Sequence, residues 1–204
     1  MDGAGSCADS STVAVVPLRT DDVLRALDGP GVPMHEAASV VPDRPGLYAI
    51  HADAKVWREL SLGEPPDDRP LYVGKAEDSL VSRDLRTHFG DGRTGSSTLR
   101  RSFAALLYRP LKLAPQPRNP ANPERPANYG LPLAHDRRLT EWMRLNLRIA
   151  VWPSDGRAPL EQIEKRALAH WLPPLNLKDV QTPWTRDVKA ARAAMAAQVR
   201  AAIK

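Results

Sequence analysis

Strand signals are scarce in this chain, and each is short. Three runs combine β-branched or aromatic residues with turn signals at their edges: Gly46–His51, entered through Pro45, then residues 71–75, then residues 148–152. Around them the apolar spacing is helical. Residues 20–27 read as a short helix capped by Thr20 and broken by Pro30 and Pro33. Further helices are expected over 79–89, 98–108, 136–147 and 160–172, the last with Pro159 in its first turn and Pro173-Pro174 as its stop. Thr185–Ile203 carries an amphipathic stripe of Val188, Ala191, Met195 and Val199. Three short strands bury their apolar faces only if helices cover them. The expected fold is therefore α+β: a small, mainly antiparallel three-stranded sheet flanked by helices. The first two strands are expected to pair as a hairpin with a long, partly helical connection.

With 204 residues and 42% hydrophobic content, the chain supports one domain with extensions. Residues 1–40 read as an N-terminal extension, its first dozen small and polar residues disordered. The domain proper is expected over 41–180 and a C-terminal amphipathic helix over 181–204. The proline-rich stretch at about 109–134 reads as an extended insertion or mobile loop. The single cysteine, Cys7, excludes an intrachain disulfide, and no Cys/His spacing suits zinc, so a reducing, cytoplasmic setting is expected. No run is apolar for long enough to cross a membrane. The net charge is +5 and arginine outnumbers lysine 22 to 7, which suits a polyanionic partner. A background rich in Ala, Arg and Pro produces the same excess.

Glu164 is the first candidate for chemistry. On a helix, Leu160, Ala167, Leu168 and Trp171 share its face. A carboxylate in an apolar stripe must be protonated, paired with a base, or bound to a metal. Glu161 lies nearer the polar edge. Tyr48 and Tyr72 each sit in a strand near a glycine, Gly46 and Gly74. Either is a core aromatic or a phenol in a site where glycine permits close approach.

Taken together, these residues resemble the GIY-YIG nuclease family. Gly46-Leu47-Tyr48 and Tyr72-Val73-Gly74-Lys75 resemble its two name-giving motifs. Leu80-Val81-Ser82-Arg83 resembles its helical arginine motif, and His88-Phe89 its following histidine. Glu164, Pro174 and Asn176 resemble its closing pattern, with the spacing also found in the nuclease domain of bacterial excision repair. Leu47 and Val73 stand where isoleucine is usual. The gap between the tyrosine motifs is long, and Arg86, one turn beyond Arg83, competes for the arginine position.

The resemblance implies an endonuclease that hydrolyses phosphodiester bonds in DNA, single- or double-stranded, around one Mg²⁺ ion, with Mn²⁺ as a substitute. Glu164 is the implied metal ligand, and magnesium commonly takes only one or two carboxylates. Tyr48 is the implied general base, helped by Lys75, His88 or the metal because a free phenol titrates near pH 10. Arg83 would stabilise phosphate charge, Tyr72 would position water or phosphate, and Asn176 would brace the site or touch substrate. Lys75 and His88 are either part of this chemistry or ordinary element-end residues. Arg100, Arg101 and a tail face of Arg186, Lys189, Arg200 and Lys204 are candidate substrate contacts, although a solvated helix shows the same pattern. Trp142 and Trp184 read as core or stacking residues. A catalytically weak nucleic-acid-binding or adaptor module, and an RNA-directed nuclease, are the competing readings. A homodimer or protein partner is left open.

Overall fold

The computed structural model describes residues 20–119, 126–156, 158–178 and 180–203, with the backbone alone at 83–86, 126 and 203. In chain order the elements are α1 (Thr20–Asp28), β1 (Val32–Pro33), β2 (Gly46–His51), α2 (Ala54–Glu59), β3 (Tyr72–Ala76), α3 (Thr98–Leu106), α4 (Leu133–Asn146), β4 (Arg148–Pro153), α5 (Leu160–Trp171) and α6 (Thr185–Ile203). Short 3₁₀ helices lie at Met34–Ser39, Thr94–Ser96 and Pro126–Asn128, and a π-helical segment at Val81–His88. The expected disorder of the first dozen residues falls outside the described residues, as does Lys204.

All six residues of β2 are buried, as expected for a central strand covered on both faces. It pairs antiparallel with β3, Tyr48 opposite Gly74, and with β4, Tyr48 opposite Val151. Leu47, Ala49, Val73 and Ala150 face one layer, where Val23 and Leu27 of α1 and Ile163, Ala167, Leu168 and Trp171 of α5 cover them. Tyr48 and Ile50 face a larger core that includes Trp57 of α2, Phe103 of α3, Met143 of α4 and Met195 of α6. The long hairpin connection contains α2, capped by Asp53, whose carboxylate accepts from Val56 N at 2.9 Å. Among the described residues no helix is long and apolar enough to cross a membrane.

The sheet has four strands, in the order β1-β4-β2-β3, and not the three expected. β1 is only Val32–Pro33, paired with Ile149 and Arg148 of β4. Two residues hold no periodicity to read, and a proline read as a helix breaker is tolerated on an edge strand. Gly31 makes the pairing feasible: its φ is +59°, and a Cβ there would lie 2.5 Å from the Ile149 carbonyl oxygen.

Two further expectations change. The segment after β3 is π-helical, and the Thr87 hydroxyl donates to the Ser82 carbonyl five residues back at 3.1 Å, a spacing that apolar periodicity does not report. The proline-rich stretch is tied down at both described ends. Gln116 and Gly130 form an antiparallel bridge, and Leu113, Tyr129 and Leu131 are buried in the main core. Its apolar anchors are too far apart to register as a period.

Candidate active site

β3 is an edge strand, and an exposed edge needs a partner. The chain supplies one after α5. Leu172 adopts a left-handed conformation (φ 49°) and turns the chain back. Leu175 N then donates to Leu71 O at 3.0 Å. Asn176 spends both ends of its amide on one residue: Oδ1 accepts from Val73 N at 2.9 Å, and Nδ2 donates to Val73 O at 2.7 Å. Asn176 is thus a brace that holds β3 between Tyr72 and Gly74. Asn176→Ala leaves two backbone groups unsatisfied, and at about 1–3 kcal/mol for each buried group the expected loss is roughly 2–6 kcal/mol. Thermal unfolding of the variant should show a correspondingly lower midpoint.

A cleft of about 600 Å³ opens between β3, the turn after it, the π-helical segment and α5. Tyr72, Lys75, Glu77, Asp78, Glu161, Glu164, Lys165 and Lys178 are among its walls. Glu164 therefore faces the cleft, half-buried at the edge of the apolar stripe, while Ile163, 3% exposed, takes the core position. The expected burial of Glu164 is corrected by a rotation of about one residue around α5. Lys75 pairs with Glu77 at 2.9 Å, and Lys165 with Glu161 at 2.7 Å. Glu77, and more weakly Glu164 and Glu161, hold the Lys75 ammonium above its ordinary range. Lys165, then Lys75, hold Glu161 below the usual carboxylate range.

Tyr48 lies behind this wall, 0% exposed, with its ring centroid 6.0 Å from that of half-buried Tyr72. Gly74 makes the room: a Cβ at 74 would stand 2.5 Å from both Cζ and Oη of Tyr48. The Tyr48 hydroxyl is 2.8 Å from His88 Nε2, and His88 Nδ1 is 2.7 Å from Ser97 Oγ. Ser97 also caps α3, accepting from Arg100 N at 3.1 Å. Two tautomers satisfy this chain. With Nδ1–H facing Ser97, Nε2 accepts the phenol proton. Ser97 was missed in the sequence because its only signal there is that of a helix cap.

Arg83 and Arg86 lie on the π-helical segment beside the cleft, and their side chains are outside the described residues. Arg100 and Arg101 are not surface contacts as expected, being 0% and 6% exposed. Arg100 Nη2 is 2.5 Å from Asp136 Oδ1, and Nη1 donates to His88 O at 2.9 Å. Asp136 in turn accepts from Gly92 N and Thr94 N. Arg100 therefore fastens the loop that carries His88 and Ser97. An Arg-Arg pair in a helix reads as a basic patch, but one turn of α3 is enclosed by α4 and α6. Removing one partner of a buried ion pair costs about 3–5 kcal/mol. Arg100→Met should show that loss in denaturant unfolding, and adding Asp136→Leu should not recover it, because Gly92 N and Thr94 N then lose their acceptor.

Arg101 donates to Gly95 O at 2.8 Å, while its Nε has no hydrogen-bond partner among the described residues. Trp142 and Trp184 belong to the core: Trp142 donates to Glu59, and Trp184 to Leu62 O while stacking edge-on against Trp57 at 5.5 Å. Val188, Met195 and Val199 of α6 are buried as the amphipathic stripe requires.

A hard carboxylate oxygen on the wall of an open, polar cleft fits a divalent ion that keeps much of its water. Among the described residues no three His, Cys, Asp or Glu side chains converge into a protein-only cage. Glu164 is the residue that would hold such an ion.

A protein-family model described as the GIY-YIG catalytic domain matches residues 50–195, opening inside β2 just after Tyr48. No curated protein and no solved structure matches the chain.

Proposed function

The chain belongs to the GIY-YIG family of nuclease-type hydrolases, and from that premise we propose that it is a divalent-metal-dependent endonuclease that hydrolyses phosphodiester bonds in DNA. Membership by itself implies a nucleic-acid substrate. The observation that carries the finer reading is the cleft that gathers Glu164 from α5 and Tyr72 and Lys75 from β3, with the Tyr48–His88 pair directly behind it.

Tyr48 is the general base in this reading. Its phenol gives its proton to His88 Nε2 and takes one from the attacking water; His88 keeps the required tautomer by donating Nδ1–H to Ser97. Because Tyr48 is closed off in this conformation, substrate binding must draw Tyr72 or the π-helical segment aside. Tyr72 orients the water or phosphate, and Lys75 offers a cation to the backbone. Arg83, at the family's arginine position, stabilises the charge that builds on the phosphate, with Arg86 its neighbour one turn on. Glu164 would hold Mg²⁺, or Mn²⁺ in its place. Such an ion, when bound, supplies charge stabilisation at the phosphate oxygens.

The test is to incubate the full chain with plasmid, single-stranded DNA and a structured RNA, in Mg²⁺ or in EDTA. Metal-dependent cutting of DNA is expected. Cutting of RNA alone would replace DNA as the substrate. Retention of DNA in a gel shift with no cutting in Mg²⁺ or Mn²⁺ would favour the binding or adaptor module.

A further inference from the structure

Beside the catalytic cleft, α6 and the Pro126–Asn128 turn enclose a second, smaller groove of about 320 Å³. Lys189, Arg192 and Arg200 line it, over a floor of Ala127, Ala193 and Ala196. One segment borders both: Leu177 lines the groove, and the next residue, Lys178, lines the cleft. Resting on the nucleic-acid substrate proposed above, we infer that this groove is a phosphate-contact site, in which Lys189, Arg192 and Arg200 hold the sugar–phosphate backbone that runs out of the cleft.

Charge is the first argument. Among the described residues no carboxylate forms an ion pair with Lys189, Arg192 or Arg200. More positive charge lies beneath and beside them. Arg101, buried under α6, has no carboxylate partner among the described residues, and its Nε has no hydrogen-bond partner there either. The exposed Arg118 packs its stem over Gly95, whose carbonyl Arg101 holds. Burial, then repulsion from Arg192, pushes the Arg101 guanidinium down to about 10, and burial lowers Arg192 too. Buried cations without counter-ions are costly, and an arriving anion relieves that cost.

Shape is the second argument. The alanine floor lets a backbone lie close to the helix. From Lys189 to Arg200 α6 rises about 16 Å, a length over which one strand of duplex carries roughly five phosphates. The face expected from the sequence named Lys189 and Arg200 but not Arg192. Arg192 lies one turn from Lys189 on the same face of α6 and lines the groove with it, while α6 packs on α3 and the 126–128 turn.

The test measures binding apart from cutting. A fluorescein-labelled duplex or single-stranded oligonucleotide is titrated by anisotropy in EDTA, over a range of salt, with the full chain. The comparison is Lys189→Gln/Arg192→Gln/Arg200→Gln against an equal charge loss elsewhere, Arg25→Gln/Lys55→Gln/Arg144→Gln, with thermal melting to confirm both fold. Each lost phosphate contact should reduce the salt slope by about 0.9 on duplex or about 0.7 on a single strand, so the groove variant should bind roughly tenfold or more weakly in 0.1 M salt. The control variant should retain the slope. Equal affinity and slope for the groove variant and wild type would overturn the site, as would a wild type that binds neither oligonucleotide. If the groove variant lowers the slope as expected but the wild type cuts nothing in Mg²⁺ or Mn²⁺, the nuclease reading fails and the phosphate site stands.

Discussion

Tyr48→Phe should reduce DNA cleavage by about 10²–10⁴-fold in kcat, the range for loss of a positioned general base. The effect should fall on kcat and leave the fold nearly intact. The phenyl ring still fills the space made by Gly74, and losing the hydrogen bond to buried His88 costs about 1–3 kcal/mol. Tyr72→Phe is the informative comparison. Tyr72 lines the cleft while Tyr48 is closed off behind it. If Tyr72 only orients water or phosphate, its variant should lose less than Tyr48→Phe. A Tyr72→Phe loss larger than that of Tyr48→Phe would move the base to the cleft-lining phenol and leave Tyr48–His88 as a structural pair.

Glu164→Gln should abolish metal-dependent cleavage, a loss on the order of 10³-fold or more if the ion contributes several kcal/mol to the transition state. The amide keeps the shape of the side chain but not its charge, and the half-buried position tolerates it, so unfolding should change by about 0.5 kcal/mol or less. The discriminating readout is a Mg²⁺ titration. Weakened metal dependence with unaltered DNA binding in EDTA identifies a ligand. Unchanged metal dependence would assign Glu164 to the charge balance with Lys75 instead. Glu161→Gln, beside it and paired with Lys165, should leave the metal dependence as it is.

Periodicity and capping located most of the fold, because helices and strands imprint their own repeat on the chain. The strand at Gly46, the strand at Arg148, the helix after Pro159 and the whole of Thr185–Ile203 follow directly from that repeat. Elements made by long-range pairing were silent. Val32–Pro33 is a strand only because Gly31 lets the backbone approach β4. The Val81–His88 segment differs from an α-helix in hydrogen-bond spacing, which side-chain pattern does not encode.

The same division holds in the site. The residue types and their order along the chain were determined by the sequence alone: two strand tyrosines near glycines, a histidine, a helical glutamate and a late asparagine. Which groups meet was decided by tertiary structure. Only packing turned Asn176 into a brace for Val73, gave His88 its contacts with Tyr48 and Ser97, and rotated Glu164 from the stripe to the cleft. Only packing enclosed Arg100, converting an apparent phosphate contact into the partner of Asp136, and brought Arg192 beside a cation 91 residues earlier, Arg101. The physical reason is that local repeats are written in adjacent residues. Burial and ion pairing depend on which distant surfaces exclude water from one another.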